Sequence, residues 1–172
     1  MDYCFDYNKD INRREQIIFK QDYNKNNDAD FKKAWKEASQ SDDIWATSPL
    51  YSQYYVGGIR RFEDLRLDQL KTLVAEDFIH TDDCFNSCPT VGEFIKLVEK
   101  MTSMAGENDE LVVTFIGYAV DMSRADYRVT IEGIKYKSRY KLDRDILDEF
   151  YAFTKYADEL SLSDTEGRAW WD

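Results

Sequence analysis

The sequence predicts an α+β fold. It is expected as a single domain, 1–172, with N-terminal helices packed on a small antiparallel sheet, a hairpin or three-stranded meander over about 111–142, and a C-terminal helix over about 144–158. Three observations carry this. Apolar residues recur at helical spacing as far as Met101, the period becomes extended beyond Gly106, and helical spacing returns at Ile146.

Taken in order, the first 27 residues are polar and aromatic, with one apolar run at Ile17-Ile18-Phe19 that suits helix and strand equally. From Asp30 to about Gln40, Phe31, Ala34, Trp35 and Ala38 share one helical face. Ser48-Pro49 and Gly57-Gly58 then punctuate a short helix bearing Tyr51, Tyr54 and Tyr55. Leu67, Leu70, Leu73 and Val74 mark another helix. Pro89-Thr90-Val91-Gly92-Glu93 is the clearest start signal, because Thr90 can cap the helix while Glu93 reaches back to the Thr90 amide. Phe94, Ile95, Leu97, Val98 and Met101 follow as its buried face.

Gly106-Glu107-Asn108-Asp109 reads as a turn, after which Leu111 to Ile116 is apolar on both faces, as a covered strand requires. Tyr127, Val129 and Ile131 alternate with polar residues and predict a second strand. At Gly133 the alternation changes phase, which a one-residue bulge or a turn into a third strand would explain. Asp143 or Asp145 can cap the last helix, with Ile146, Phe150, Phe153 and Ala157 facing inward, before a polar tail ending Trp170-Trp171-Asp172.

Composition narrows the function classes. The chain of 172 residues is 43% hydrophobic and 15% aromatic, which excludes intrinsic disorder, and no apolar run is long enough to cross a bilayer. Met1 to Asp6 has no signal-peptide character, and Cys4, Cys84 and Cys88 cannot all pair within one chain, so a cytoplasmic protein with reduced thiols is expected. The net charge of -11 argues against direct nucleic-acid binding; from Lys141 onward nine acids face four bases.

Lys135, Lys137, Arg139 and Lys141 run against that charge, placing four cations on one side of a strand with Tyr136, Ser138, Tyr140 and Leu142 between them. Protection of a sheet edge by lysines is preferred here to an anion-binding face, because isolated charges on an acidic body attract phosphate polymers weakly. Tyr51, Tyr54, Tyr55, Trp170 and Trp171, with Trp45, are the candidate partner anchors, set against the commoner role of such rings in a core.

Metal ligation has two weak candidates. Asp22, Asn24, Asn26 and Asp30 alternate as in a calcium loop, yet the twelfth position is Lys33 and the sixth Asn27, where an EF-hand needs Glu and Gly. His80, Cys84 and Cys88 lie four apart and on a continuous helix would share a face for zinc, although their neighbours read as loop. The same residues supply a thiol nucleophile and base, and paired acids at Glu63-Asp64, Glu76-Asp77 and Asp82-Asp83 are a hydrolase's raw material; no motif surrounds either set. No cofactor is expected, since Gly57-Gly58-Ile59-Arg60-Arg61 matches no phosphate-loop pattern. The expected function is therefore a small acidic, non-catalytic protein-binding module of regulatory, inhibitory or immunity type, whose partner carries a basic or nucleic-acid-binding surface. An enzyme using carboxylates or a cysteine, and a metal-stabilised module, are the alternatives.

Overall fold

The computed structural model describes residues 7–41, 49–107 and 110–172, and the side chains from Asp10 onward within them. Its elements are α1 (Tyr7–Phe19), α2 (Asn27–Ala38), α3 (Leu50–Gln53), β1 (Ile59–Leu65), α4 (Leu67–Ala75), α5 (Val91–Ala105), β2 (Leu111–Val120), β3 (Gly133–Ser138), α6 (Arg144–Thr154), β4 (Glu159–Leu162) and β5 (Glu166–Trp170). They form two compact units, Met1–Phe62 with Tyr118–Val129, and Glu63–Gly117 with Thr130–Asp172.

The second unit is organised by an antiparallel sheet of five strands in the order β1-β2-β3-β5-β4. This corrects the expected three-stranded sheet and terminal helix. The stretch read as a polar tail after α6 returns as β4 and β5, and β5 inserts between β3 and β4, where Ala169 is fully buried and Trp170 and Trp171 are nearly so. The strand expected at Tyr127 to Ile131 is only a single bridge, Ala119 to Val129. Between that bridge and the Ile116 to Gly133 pair, β2 advances three residues while the facing chain advances four. One extra residue in this stretch is the count a β-bulge requires, and it accounts for the change of phase.

Gly133 and Gly167 owe their identity to crowding across β3 and β5. A Cβ on Gly133 would sit 2.7 Å from the Ala169 carbonyl oxygen and 3.0 Å from the Trp170 ring. One on Gly167 would sit 2.8 Å from Cζ of Tyr136. Register places Gly133 opposite Trp170 and Tyr136 opposite Gly167, so each strand supplies a ring that lies over the other's glycine.

Helices α5 and α6 cover one face of this sheet. The α5 cap forms as its sequence predicts: the Thr90 Oγ accepts from the Glu93 N–H at 3.3 Å and the Glu93 carboxylate accepts from the Thr90 N–H at 2.7 Å. Phe94 of α5 meets Phe115, Phe153 and Trp171 edge-on at 6.3, 5.3 and 5.6 Å, and Phe150 of α6 meets Tyr136 at 4.9 Å.

In the first unit, the run Ile17-Ile18-Phe19 belongs to a helix, α1. Helix α2 begins at Asn27 rather than Asp30, its first turn closed by the Asp30 N–H donating to the Asn26 carbonyl at 2.9 Å, and the buried Asn27 Oδ1 accepts the Tyr55 N–H. Gly57 and Gly58, with φ of 61° and 78°, close a two-residue turn between Val56 and Ile59.

Candidate functional site

On the open face of the second unit's sheet, Val112 and Thr114 of β2, Lys135 and Lys137 of β3, and Glu166 and Arg168 of β5 line a groove of about 820 Å3. Lys135 and Lys137 lie on this face with Arg139 just past the strand's end, but β3 stops at Ser138, so Arg139 and Lys141 are outside the strand expected to carry them, and Lys141 is outside the groove. Since β3 lies inside the sheet, these cations guard no edge; the outer strands are β1 and β4, and all four residues of β4 are exposed. Acids accompany the cations: Lys135 pairs with Glu63 at 3.7 Å, Arg139 with Glu110 at 3.5 Å, Lys141 with Asp164 at 2.9 Å and Arg168 with Glu159 at 3.0 Å. The exposed Lys137 stands opposite Glu166 in the register. The Asp164 bond holds Lys141 above, and Asp164 below, the ordinary value. A face balanced in this way offers little net attraction to a polyanion.

The aromatic candidates separate. Trp170, Trp171 and Tyr55 are core, with 7%, 3% and 3% of their surface exposed. Tyr51 is exposed and Tyr54 half-buried, and both meet Phe31, at 5.5 and 6.3 Å, with Trp35 stacked on Phe31 at 5.9 Å. Trp45 lies outside the described residues, as does Cys4.

The metal candidates are otherwise engaged. Asn24 folds an Asx turn, its Oδ1 accepting from the Asn26 N–H at 2.9 Å and its Nδ2 donating to Asp30 at 2.8 Å, while Asp22 accepts from Gln16 at 2.9 Å. His80, Cys84 and Cys88 lie in a loop rather than on a helix, which removes the shared face that their spacing suggested. His80 and Cys84 are exposed; Cys88 is buried, its thiol directed at the carbonyls of Pro89 and Ile131 at 3.2 and 3.4 Å, and burial pushes it up to about 11. Among the described residues no three His, Cys, Asp or Glu side chains gather to hold a metal ion. Nor is any helix among them long and apolar enough to cross a membrane.

Two arrangements escaped the sequence. The first is a buried polar cluster in the first unit, built on Arg14 and Glu15 of α1, Tyr55, and Arg60 of β1. Arg14 is fully buried; its Nη1 donates to the Val120 carbonyl at 2.7 Å and its Nη2 to the Tyr55 hydroxyl at 2.8 Å, while its guanidinium lies 4.5 Å from the Tyr127 ring centre. The Tyr55 hydroxyl donates to Glu15, whose carboxylate also faces Arg60 Nη1 at 3.7 Å. Burial raises the Glu15 pKa against the opposing pull of the Tyr55 bond and both guanidiniums, and burial lowers that of Arg60. Nothing in the polar sequence of α1 announces that Arg14 and Glu15 point inward.

The second is the outer face of α6. Ile146, Phe150 and Thr154 are buried, and the opposite side shows Asp145, Asp148, Tyr151 and Ala152 to solvent, with Lys155 and Tyr156 just beyond. Tyr151 is 51% and Tyr156 81% exposed; the Lys155 ammonium lies 5.0 Å from the Tyr156 ring centre, and Asp148 pairs with Arg144 at 3.9 Å. The signal was available: both tyrosines fall off the stripe formed by Ile146, Phe150, Phe153 and Ala157. Comparisons with protein-family models, with curated proteins and with solved structures found no match to the chain.

Proposed function

We propose that this chain is a non-catalytic, cytoplasmic protein-binding module of regulatory or inhibitory type, docking a basic protein surface through the outer face of α6. The observation that carries the reading is the exposure of Tyr151 on the same outer side of a helix as Asp145 and Asp148, with Tyr156 exposed just past the helix end and Phe150 anchoring the helix in the core. Tyrosine supplies large contact area at small entropic cost, and carboxylates around it steer a cationic partner into register. The charge of -11 adds long-range attraction of the same sign. Helix α6 is anchored by the packing of Phe150 on Tyr136, so Tyr151 is presented on a rigid element. The enzymatic alternative draws no support from Cys88, whose buried thiol is held protonated at neutral pH.

The test is affinity capture from the host's lysate with three baits: the native chain, Tyr151→Ala with Tyr156→Ala, and Asp145→Lys with Asp148→Lys. A basic protein held by the first and released by both variants and by salt supports the reading; at roughly 1–2 kcal/mol per anchor, the tyrosine pair should weaken binding more than tenfold. Identical captures from all three baits, or binding indifferent to salt, overturn it.

A further inference from the structure

We propose that the outer edge of β4 is an interface at which two copies of this chain pair, antiparallel and two-fold about Ser161, in weak and reversible self-association. The strand lacks the devices that ordinarily guard such an edge: Glu159-Leu160-Ser161-Leu162 holds no lysine and no proline, and its register with β5 contains no bulge.

The register shows which peptide groups this edge leaves open. The Ser163 N–H donates to the Glu166 carbonyl at 2.8 Å, and antiparallel partners alternate between pairs that exchange both bonds and pairs that exchange none. Counting back from there, Ser161 with Arg168 and Glu159 with Trp170 are bonded pairs, whereas Leu160 with Ala169 and Leu162 with Gly167 are not. The other side of β5 agrees. There the Trp171 N–H donates to the Glu132 carbonyl at 2.9 Å and the Ser138 N–H to the Thr165 carbonyl at 2.7 Å, an alternation that turns Gly167 and Ala169 toward β3. The N–H and C=O groups of Leu160 and Leu162 therefore point outward, with no strand of this chain to receive them. The same two residues carry the edge's apolar surface, Leu160 being 36% and Leu162 41% exposed. Both lie on the sheet face that α6 covers, since Gly167, opposite Leu162, is also opposite Tyr136, on which Phe150 packs.

A second copy fits this edge because the edge is its own complement. Bonded pairs need outward groups on both strands, so Leu160 can stand opposite Leu162 or Leu160 of the other copy but not opposite Ser161. Setting Leu160 against Leu162 places the two-fold axis at Ser161, makes both leucines of each copy bonded partners, and gathers their side chains into one seam. Setting Leu160 against itself would put Leu162 opposite Asp158, which lies outside β4 and accepts the Asp172 N–H. In the first register Ser161 faces Ser161, and Glu159, already paired with Arg168 at 3.0 Å, faces Ser163, so no like charges stand opposite within the strand. So short an edge falls well below the area of a stable dimer, and a dissociation constant of roughly 0.1 mM order is expected. The charge of -11 on each copy opposes the approach, so added salt should tighten this contact, the reverse of its effect at α6.

Amide hydrogen exchange, read by NMR on the isotope-labelled full chain well below and well above that constant, tests the edge. The Leu160 and Leu162 amides should exchange fast in the dilute chain and at least tenfold more slowly in the concentrated one, while the Ser161 amide, bonded to β5, stays protected in both. Sedimentation tests partner and register. Native self-association should strengthen with salt, and Leu160→Glu and Leu162→Lys, both at exposed positions, should each weaken it about tenfold or more. A mixture of the two variants should recover it, because Leu160→Glu in one copy then stands against Leu162→Lys in the other. If either variant fails to fold, the exchange measurement on the native chain still decides. A native chain that stays monomeric, leaving the edge to a strand of another protein, overturns the proposal. So does exchange at Leu160 and Leu162 that ignores concentration, association that salt loosens or that either variant leaves intact, or a mixture no tighter than its components.

Discussion

Replacing Gly167 with alanine opposes two expectations of different sign. By propensity alone alanine should stabilise a strand interior by about 0.5–1 kcal/mol, since glycine loses more freedom on folding. At Gly167, however, the new methyl would stand 2.8 Å from Cζ and 3.1 Å from Cδ1 of Tyr136. That ring cannot swing aside cheaply: Tyr136 is 2% exposed, meets Phe150 at 4.9 Å, and its hydroxyl donates to the Ser163 carbonyl. Overpacking costs about 1–3 kcal/mol. Loss of the hydroxyl's bond adds about 1 kcal/mol. Net of propensity, Gly167→Ala should therefore destabilise by roughly 1–3 kcal/mol. Urea unfolding followed by tryptophan fluorescence reads this well, because Trp170 and Trp171 are buried beside the change. A double-mutant cycle isolates the cause: in a Tyr136→Leu background, the penalty of Gly167→Ala should shrink by about 1 kcal/mol or more. A stabilised Gly167→Ala protein, or an unchanged penalty in the Tyr136→Leu background, would refute the argument from ring placement.

Three further outcomes are expected. Tyr55→Phe removes a hydroxyl that joins Arg14 to Glu15, and leaving both short of a buried partner should cost about 1–3 kcal/mol in urea unfolding. Glu93 sits below its ordinary value of 4.5, held there chiefly by the Thr90 N–H, so its folded pKa lies below its unfolded one. Its stabilising contribution is accordingly present above pH 4.5 and lost as pH falls through the folded value; unfolding of Glu93→Gln compared with the native chain from pH 7 to 3 should show the difference vanish in acid. Iodoacetamide at pH 8 should modify the exposed Cys84 well before Cys88, whose thiol is pushed up to about 11, and mass mapping of a time course checks the order.

Helices α4 and α5 were legible because each carries one apolar stripe, with Thr90 and Glu93 marking the start of α5; α6 was legible from its stripe too, but it stops at Thr154 rather than about 158, and Asp143 at its start makes no side-chain cap bond. Strand β1 was not. In Ile59–Leu65 the buried positions include Arg60 and Phe62, so a charge occupies an inward slot and breaks the alternation on which a strand is recognised. Strands β4 and β5 are four and five residues long and contain Ser161 and Gly167, too little hydrophobic pattern to stand out from a tail. Consecutive Trp170 and Trp171 were in fact the clue, since neighbouring residues of an extended chain face opposite ways and both rings are buried. The site candidates fared unevenly for a similar reason. Periodicity identified which side chains share a face, as with Lys135 and Lys137, but pairing such as Lys135 with Glu63 joins residues distant in sequence. The Arg14, Glu15, Tyr55 and Arg60 cluster is assembled wholly from such distant pieces.

The insertion of β5 between β3 and β4 also has a temporal side. During synthesis, β2 and β3 can pair early, yet β3 keeps an unsatisfied edge, and β4 has no neighbour, until residues 166–170 emerge. The sheet's order thus delays closure until residues 166–170 have been made, leaving β3 with an open, sticky edge while the residues between it and β5 are synthesised.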